Sequence, residues 1–383
     1  MTGARTGERA GGPPLPGPAC LKLTAYFAER QRAGHRFLGD ALVSVCERHG
    51  LRASVLLRGA EGFGRHLMLQ TDRLLSLSED LPMVLVAVDE ADRLQAALPD
   101  LGDVAGHGLL TLERASMPRG PAPAASQARA LGDEVKLTVY CGRGERAAGG
   151  RPLFVEVIER AHRLGLRTGT VLLGVDGTIA GTRTRARFVG SNAAVPLMII
   201  LVGAVDVAVQ LLDQLHEQME RPLVTLERIR VCKAAGRVLA GPHAPAGFGA
   251  GGLGAWVKLM VHAGHDARPH GRPLFIELVR RLRAAGAGGA TVLHGIWGWD
   301  GDRRPGGDRL LSLRRHVPTL TVVVDTPDRA ARWFELIDDL TDGQGVVTSE
   351  LVPALRARGV WGRSGGLRLA SLAHEGGEAD RAT

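Results

Sequence analysis

Lys22-Leu23-Thr24, Lys136-Leu137-Thr138 and Lys258-Leu259-Met260 open three stretches of the chain that then run in step. Downstream come Arg36-Phe37-Leu38, Arg151-Pro152-Leu153 and Arg272-Pro273-Leu274. Counted from those arginines, Gly50, Gly165 and Gly286 stand 14 residues on, Gly59, Gly174 and Gly295 stand 23 on, and Gly62, Gly177 and Gly298 stand 26 on. Leu81-Pro82, Val195-Pro196 and Val317-Pro318 precede β-branched runs. Thr111-Leu112-Glu113-Arg114, Thr225-Leu226-Glu227-Arg228 and Thr348-Ser349-Glu350 close the stretches. A fixed long period is the mark of a repeat architecture, and agreement at this many anchors identifies three copies of one unit.

The copies span residues 20–115, 134–232 and 255–356. Residues 116–133 and 233–254 are rich in Pro, Ala and Gly without periodicity and read as linkers. Residues 1–19 and 357–383 read as a disordered N-terminal tail and a flexible C-terminal tail. Within a copy the pattern is β-α-β-β-α-β. The first strand alternates Leu21, Leu23, Ala25 and Phe27 with Lys22, Thr24 and Tyr26. The first helix is expected to start at the arginine, with Pro152 and Pro273 near its first turn. The second strands fall at Ser54–Leu57, Thr170–Leu173 and Thr291–Leu293. The second helices begin near Asp89, Asp206 and Pro327. This order predicts an α+β chain of three tandem ferredoxin-like units, each an antiparallel sheet with two helices on one face. The uncovered sheet faces must meet water or one another, which suggests packing around a pseudo-threefold axis.

Composition narrows the class. The chain has 383 residues, 45% hydrophobic and 23% charged, which excludes a wholly disordered or fibrous protein. Aromatics are only 4%, so the core must be aliphatic. The net charge is +8 and the sequence pI about 10.0, which permits an anionic partner without requiring one. Lys22, Lys136, Lys233 and Lys258 are the only lysines among 48 cations, and three of them share one slot. Four cysteines without a C-x-x-C pair fit a reducing compartment. Residues 1–19 lack an apolar signal region. The apolar run Ala193–Val205 is broken by Pro196 and Gly203 and is short of the about 20 residues a span requires. A cytoplasmic protein, not membrane-embedded, is the expectation.

The stretch Val55–Pro82, with Arg58-Gly59-Ala60-Glu61-Gly62-Phe63-Gly64 and Leu77-Ser78-Glu79-Asp80-Leu81-Pro82, resembles the domain-of-unknown-function-190 family. That family is PII-like, akin in fold to the trimeric PII signalling proteins. The resemblance covers about three quarters of the chain. It is good in copy three (Gly295-Ile296-Trp297-Gly298-Trp299, Leu310-Leu311-Ser312-Leu313) and weakest in copy two. There Thr178-Ile179-Ala180-Gly181 and Gly190-Ser191-Asn192-Ala193-Ala194 depart from copy one, so the three clefts need not be equivalent. The resemblance implies clefts between units that hold small ligands, usually nucleotides, beside a mobile loop between strands two and three. It also implies an intramolecular pseudo-trimer, a monomer in solution.

Several constellations compete for a role. The G-x-x-G after strand two offers flexible backbone and N–H groups for an anion. With the nearby arginines it gives a candidate ligand site: Arg36, Arg58, Gly59, Gly62, Gly64, Arg151, Gly174, Gly177, Arg272, Gly295 and Gly298. A guanidinium beside a helix N-terminus suits phosphate; the plain alternative is a glycine turn with solvated arginines. The three slot lysines read as solvated, in a wet channel or at strand ends, with a bound anion as the alternative. His262-Ala263-Gly264-His265-Asp266 with His270 offers zinc ligands, but reads better as a solvated loop. Gly247-Phe248-Gly249-Ala250-Gly251-Gly252 lies in a linker and is no dinucleotide fingerprint. Glu113-Arg114 and Glu227-Arg228 end strand four, within reach of a neighbouring cleft, but read better as surface ion pairs. Asp40, Glu156 and Glu277 read as solvent-face residues of the first helix. No nucleophile–base set, metal site or P-loop is present, so no cofactor is required and no catalysis is expected.

The function these readings favour is a PII-like sensor. It binds a small anionic ligand, a nucleotide or another phosphate compound, in inter-copy clefts. It signals through the loops Phe63–Asp72, Thr178–Arg187 and Trp299–Asp308 to a protein partner such as a membrane transporter. The alternatives are an enzyme acting on a phosphorylated small molecule and an arginine-rich nucleic-acid binder. The scarcity of stacking aromatics argues against the last.

Overall fold

A computed structural model describes residues 19–64, 69–71, 80–106, 109–118, 132–186, 193–219, 223–244, 256–269, 271–301, 303–307, 317–359 and 362–364. Copy one holds strands β1 (Ala19–Ala28), β2 (Ala53–Arg58), β3 (Pro82–Glu90) and β4 (Leu109–Ser116), with helices α1 (Leu38–Arg48) and α2 (Ala91–Ala105). Copy two holds β5 (Glu134–Gly142), β6 (Thr168–Ile179), β7 (Pro196–Ala204) and β8 (Leu223–Arg228), with α3 (Leu153–Arg163) and α4 (Val205–Gln218). Copy three holds β9 (Trp256–Gly264), β10 (Ala290–His294), β11 (Pro318–Asp325) and β12 (Val346–Val352), with α5 (Leu274–Ala284) and α6 (Pro327–Thr341). The strand orders are β2-β3-β1-β4, β6-β7-β5-β8 and β10-β11-β9-β12, each neighbour antiparallel.

The first helices begin two residues later than expected, after Phe37, Pro152 and Pro273 in extended conformation. In copies two and three the cause is local. A residue that precedes proline is driven out of the helical region, so Arg151 and Arg272 cannot start the helix. The alternation of strand one is realised: Leu21, Leu23 and Ala25 join a core with Leu38, Leu42 and Leu94 from the helices. Copies two and three repeat this with Val157 and Leu212, and with Leu278 and Ile337. The opposite sheet faces do not meet water. Val86 of copy one, Ile200 of copy two and Val322 of copy three share one core with Tyr140 and Met260.

Backbone pairing joins the copies in a cyclic sense, twice over. After β2, Glu61–Phe63 pairs with the start of β10 in copy three. The far half of β6 pairs with β2 of copy one, from Gly174↔Leu57 to Ile179↔Ala53. In copy three, Trp297–Asp300 pairs with the start of β6. A second set lies at the ends of the last strands. Ser116 pairs with Leu226, Arg230–Ala234 pairs with β12, and Ala354–Gly359 returns to β4. Residues 233–234, expected in a linker, are thus strand, because an edge strand left open by copy three takes up the chain leaving copy two. Cys232 beside them is fully buried.

The slot lysines are the largest departure from expectation. Lys22, Lys136 and Lys258 are buried, not solvated, and so are Glu113, Glu227 and Glu350, expected at least in copies one and two as surface pairs. Within a copy, lysine and glutamate face each other across β1 and β4, β5 and β8, or β9 and β12. Lys22 reaches Glu113 at 2.7 Å and also bonds Glu227 of copy two. Lys136 reaches Glu227 at 3.1 Å and Glu350 of copy three at 2.6 Å. Lys258 reaches Glu350 at 2.7 Å and Glu113 of copy one at 2.6 Å. Six charges therefore alternate in a closed, neutral ring. A buried charge must be paired, and here each has two partners. The glutamate oxygens lie within 4.8 Å of one another, but the three ammonium groups already supply the counter-charge, so the ring needs no metal ion. Burial would push the Glu113 carboxyl up; Lys22 and Lys258 overcome this and hold it to about 2. Lys258 is raised for the converse reason, its glutamates outweighing burial.

Candidate functional site

The gap beside the ring is too small for a nucleotide. A cavity of about 50 Å³, lined among others by Thr24, Tyr26, Thr138 and Tyr140, has room for a water or two. The clefts between copies are the remaining candidates, and the one between copies one and two gathers Arg36, Arg183 and Arg185 around Asp40 and Asp176.

There β6 runs past Gly174 and Gly177 along copy one and turns back at Ala180 and Gly181, both with positive φ. The hairpin pairs Thr178 with Arg183. Arg183 then bridges the two copies: it donates to Asp40 of α1 at 2.7 Å, to Ser44 at 2.8 Å and to Asp176 at 2.5 Å. Arg185 donates to Asp176 at 2.8 Å and also to Asp40. From the other side Arg36 donates to Asp40 at 2.6 Å and to Ser44 at 2.8 Å. Asp176 is buried while Asp40 is half-buried. Partial burial opposes ionisation of Asp40, but the hydrogen bonds from Arg183, Arg36 and Arg185 prevail and hold its carboxyl down at about 2. Asp40 is thus no free solvent-face residue. The same applies to Glu277, which is buried and bonded by Arg280 and Arg281.

The cleft brings three guanidinium groups and a hydroxyl to one place on two copies. Chemically it can bind an oxyanion, since a planar guanidinium offers paired donors. The carboxylates of Asp40 and Asp176 are its present acceptors. The other seams differ. In copy three Arg303 reaches Asp266 of its own copy at 2.6 Å, and burial raises Asp300. Much of the loop between strands two and three in copy one, including Arg65 and Arg73, lies outside the described residues, as do Arg187 and His270.

Of the sequence candidates, only Arg36 and the glycines Gly174 and Gly177 come to this cleft. Arg58 bonds Glu29 at 2.9 Å, and Arg151 bonds Glu156 and Glu159. Arg272 is exposed, and Gly64 has open space around it. Gly59, Gly62, Gly295 and Gly298 lie at the other seams, where a neighbouring backbone passes close. At Gly177 and Gly298, with φ of +151° and +145°, an added Cβ would stand 2.0 Å from the carbonyl oxygens of Ser54 and Gly169. These two positions require glycine to let an adjacent copy approach. Sequence reasoning misses Asp176 and Ser44 as site residues and reaches Arg183 only as an arginine of the loop Thr178–Arg187. The available signal was the carboxylate that precedes the last glycine in two copies, Glu61-Gly62 and Asp176-Gly177.

His262 is not in a solvated loop. It sits in β9, fully buried, with neither ring nitrogen hydrogen-bonded, and burial pushes it down to about 4. His265 packs instead on Phe275 and His294, with ring centroids 5.3 and 4.9 Å away, and Asp266 holds Arg303. The zinc ligands are therefore dispersed over different environments.

The repeated architecture has a counterpart among known proteins. A family model described as DUF190, uncharacterized ACR, matches residues 20–117, 134–231 and 256–354. The chain belongs to that family, as three tandem copies. Among the described residues, no helix is long and apolar enough to cross a membrane.

Proposed function

We propose that the chain is a PII-like regulatory protein in which three ferredoxin-like units close as an intramolecular pseudo-trimer. It binds a small phosphate-bearing ligand, a nucleotide in the first instance, in an inter-copy cleft. The observation that carries this reading is the bridge made by Arg183 and Arg185 from copy two to Asp40 and Ser44 of copy one. A phosphate entering there exchanges carboxylate partners for its own oxygens on the same guanidinium groups. The segment from Thr178 onward then shifts, and its outward surface changes for a protein partner, an ordering switch of the kind that anion-binding loops support. A membrane transporter is the partner this reading would try first.

The test is calorimetric titration of the full chain with nucleotides and with inorganic phosphate, repeated on Arg183→Ala. Saturable binding that the substitution weakens tenfold or more supports the reading. No saturable binding by any of them, with no thermal shift, refutes the ligand assignment.

A further inference from the structure

The three seams share one geometry but not one chemistry. At each, the residue just past the last conserved-spacing glycine of one copy meets the residue 18 after the opening arginine of the neighbour. In the first seam Phe63 stands in register with Ala290 and is buried in the core of copy three. In the second Trp299 stands in register with Gly169 and is buried in the core of copy two, edge-on to His162. In the third Thr178 stands opposite Ser54; their hydroxyls lie 3.0 Å apart, and the Ser54 hydroxyl accepts from the Thr178 N–H at 3.0 Å.

The pairs are matched, and each mismatch carries a penalty. An added Cβ at Gly169 would lie 2.1 Å from the Trp299 ring. Trp299 therefore cannot sit against alanine or serine in this geometry. Phe63 opposite Gly169 would leave a void where the indole now packs. Thr178 opposite Ala290 or Gly169 would lose the hydroxyl that faces it inside a buried seam. Large against none, medium against small, and hydroxyl against hydroxyl is a specificity device of the kind that works by penalising wrong partners.

We propose that Trp299/Gly169, Phe63/Ala290 and Thr178/Ser54 are specificity determinants of an internal interaction surface. They make each projecting strand fit one neighbour and fix the cyclic order of the copies. The partner each surface accepts is thus a particular copy of this chain. The order in turn decides which loop faces which helix, so that Arg183 meets Asp40 and no other first-helix carboxylate.

The test exchanges determinants within the full-length protein while keeping its composition. Phe63→Trp with Trp299→Phe swaps only the projecting residues. Adding Ala290→Gly and Gly169→Ala moves the receiving residues with them. The first variant is expected to lower the thermal midpoint by about 5 °C or more, or to yield no folded protein, since overpacking and a void are created together. The fourfold variant is expected to recover at least half of the lost midpoint, or to restore folding. Two results overturn the proposal: a projecting-residue swap as stable as the parent, or a fourfold variant no better than the swap.

Discussion

Replacing Lys136 with methionine removes one cation from the buried ring and leaves the rest in place. Lys136 holds Glu227 at 3.1 Å and Glu350 at 2.6 Å. After the change the ring keeps two lysines and three glutamates, a net −1 in a site shielded from water. Removing one partner of a buried ion pair costs about 3–5 kcal/mol, because the remaining charge stays desolvated. Glu227 retains Lys22 and Glu350 retains Lys258, so the lower end, about 3 kcal/mol, is expected at pH 7. Urea unfolding followed by tryptophan fluorescence and circular dichroism measures it. The loss should shrink as pH falls toward 5, because an uncompensated buried carboxyl takes up a proton more readily than the same group in the unfolded chain. The double variant Lys136→Met with Glu227→Gln restores neutrality and should lose less than the two single losses added together. A Lys136→Met loss below about 1 kcal/mol, typical of exposed pairs, or one independent of pH, would refute the buried ring.

Other consequences are separately testable. In the parent protein, acid should remove the ring's stability: Glu113 is held to about 2 against an ordinary 4.5, so its contribution is intact above 4.5 and disappears as pH falls toward 2, which acid titration of the unfolding midpoint reads. His262 behaves differently: neutral when folded, down at about 4 from 6.5, it makes the native state lose up to about 3 kcal/mol as pH falls through that window, and His262→Phe should flatten that part of the pH–stability curve. Gly177→Ala and Gly298→Ala should each destabilise by about 2 kcal/mol or more, since a Cβ there meets a neighbouring carbonyl, whereas Gly64→Ala should stay within about 0.5 kcal/mol. Arg183→Ala should leave buried Asp176 short of a partner and destabilise by about 2 kcal/mol in chemical denaturation, with Arg183→Lys recovering only part because a lysine cannot bridge Asp40, Ser44 and Asp176 together.

Much of the architecture is legible in the sequence because it is periodic. The arginine and glycine register locates the start of every first helix and second strand to within two residues, while the overrun of β6 to Ile179 lies outside it. The misjudged helix starts at Arg151 and Arg272 follow from the proline after each, a local effect that the sequence also displays. What the sequence hides is pairing across copies. Lys22 and Glu227 are 205 residues apart, and nothing local to either announces the other. A matched count was available: three lysines and three glutamates, each in a shared slot on the sheet face that lacks helices. The glycines mislead for the same reason. Gly177 and Gly298 look like a ligand cradle as long as the neighbour that approaches them, Ser54 or Gly169, is unknown. The charged cleft was legible only in pieces. Asp40 and Arg36 are four residues apart, at the entry to α1, but Arg183 reaches Asp40 only because β6 overruns its own copy.

The closure of three copies on one another within a single chain is open to direct measurement. Size-exclusion chromatography coupled to X-ray scattering tests it most directly, since mass and shape come from the same particle. A closed monomer predicts a mass of 40.6 kDa and a radius of gyration of about 21–25 Å, the range of a compact chain of this length. A monomer with a radius well above about 30 Å, as separate units on a string would give, or a stable assembly of three full chains, would contradict it.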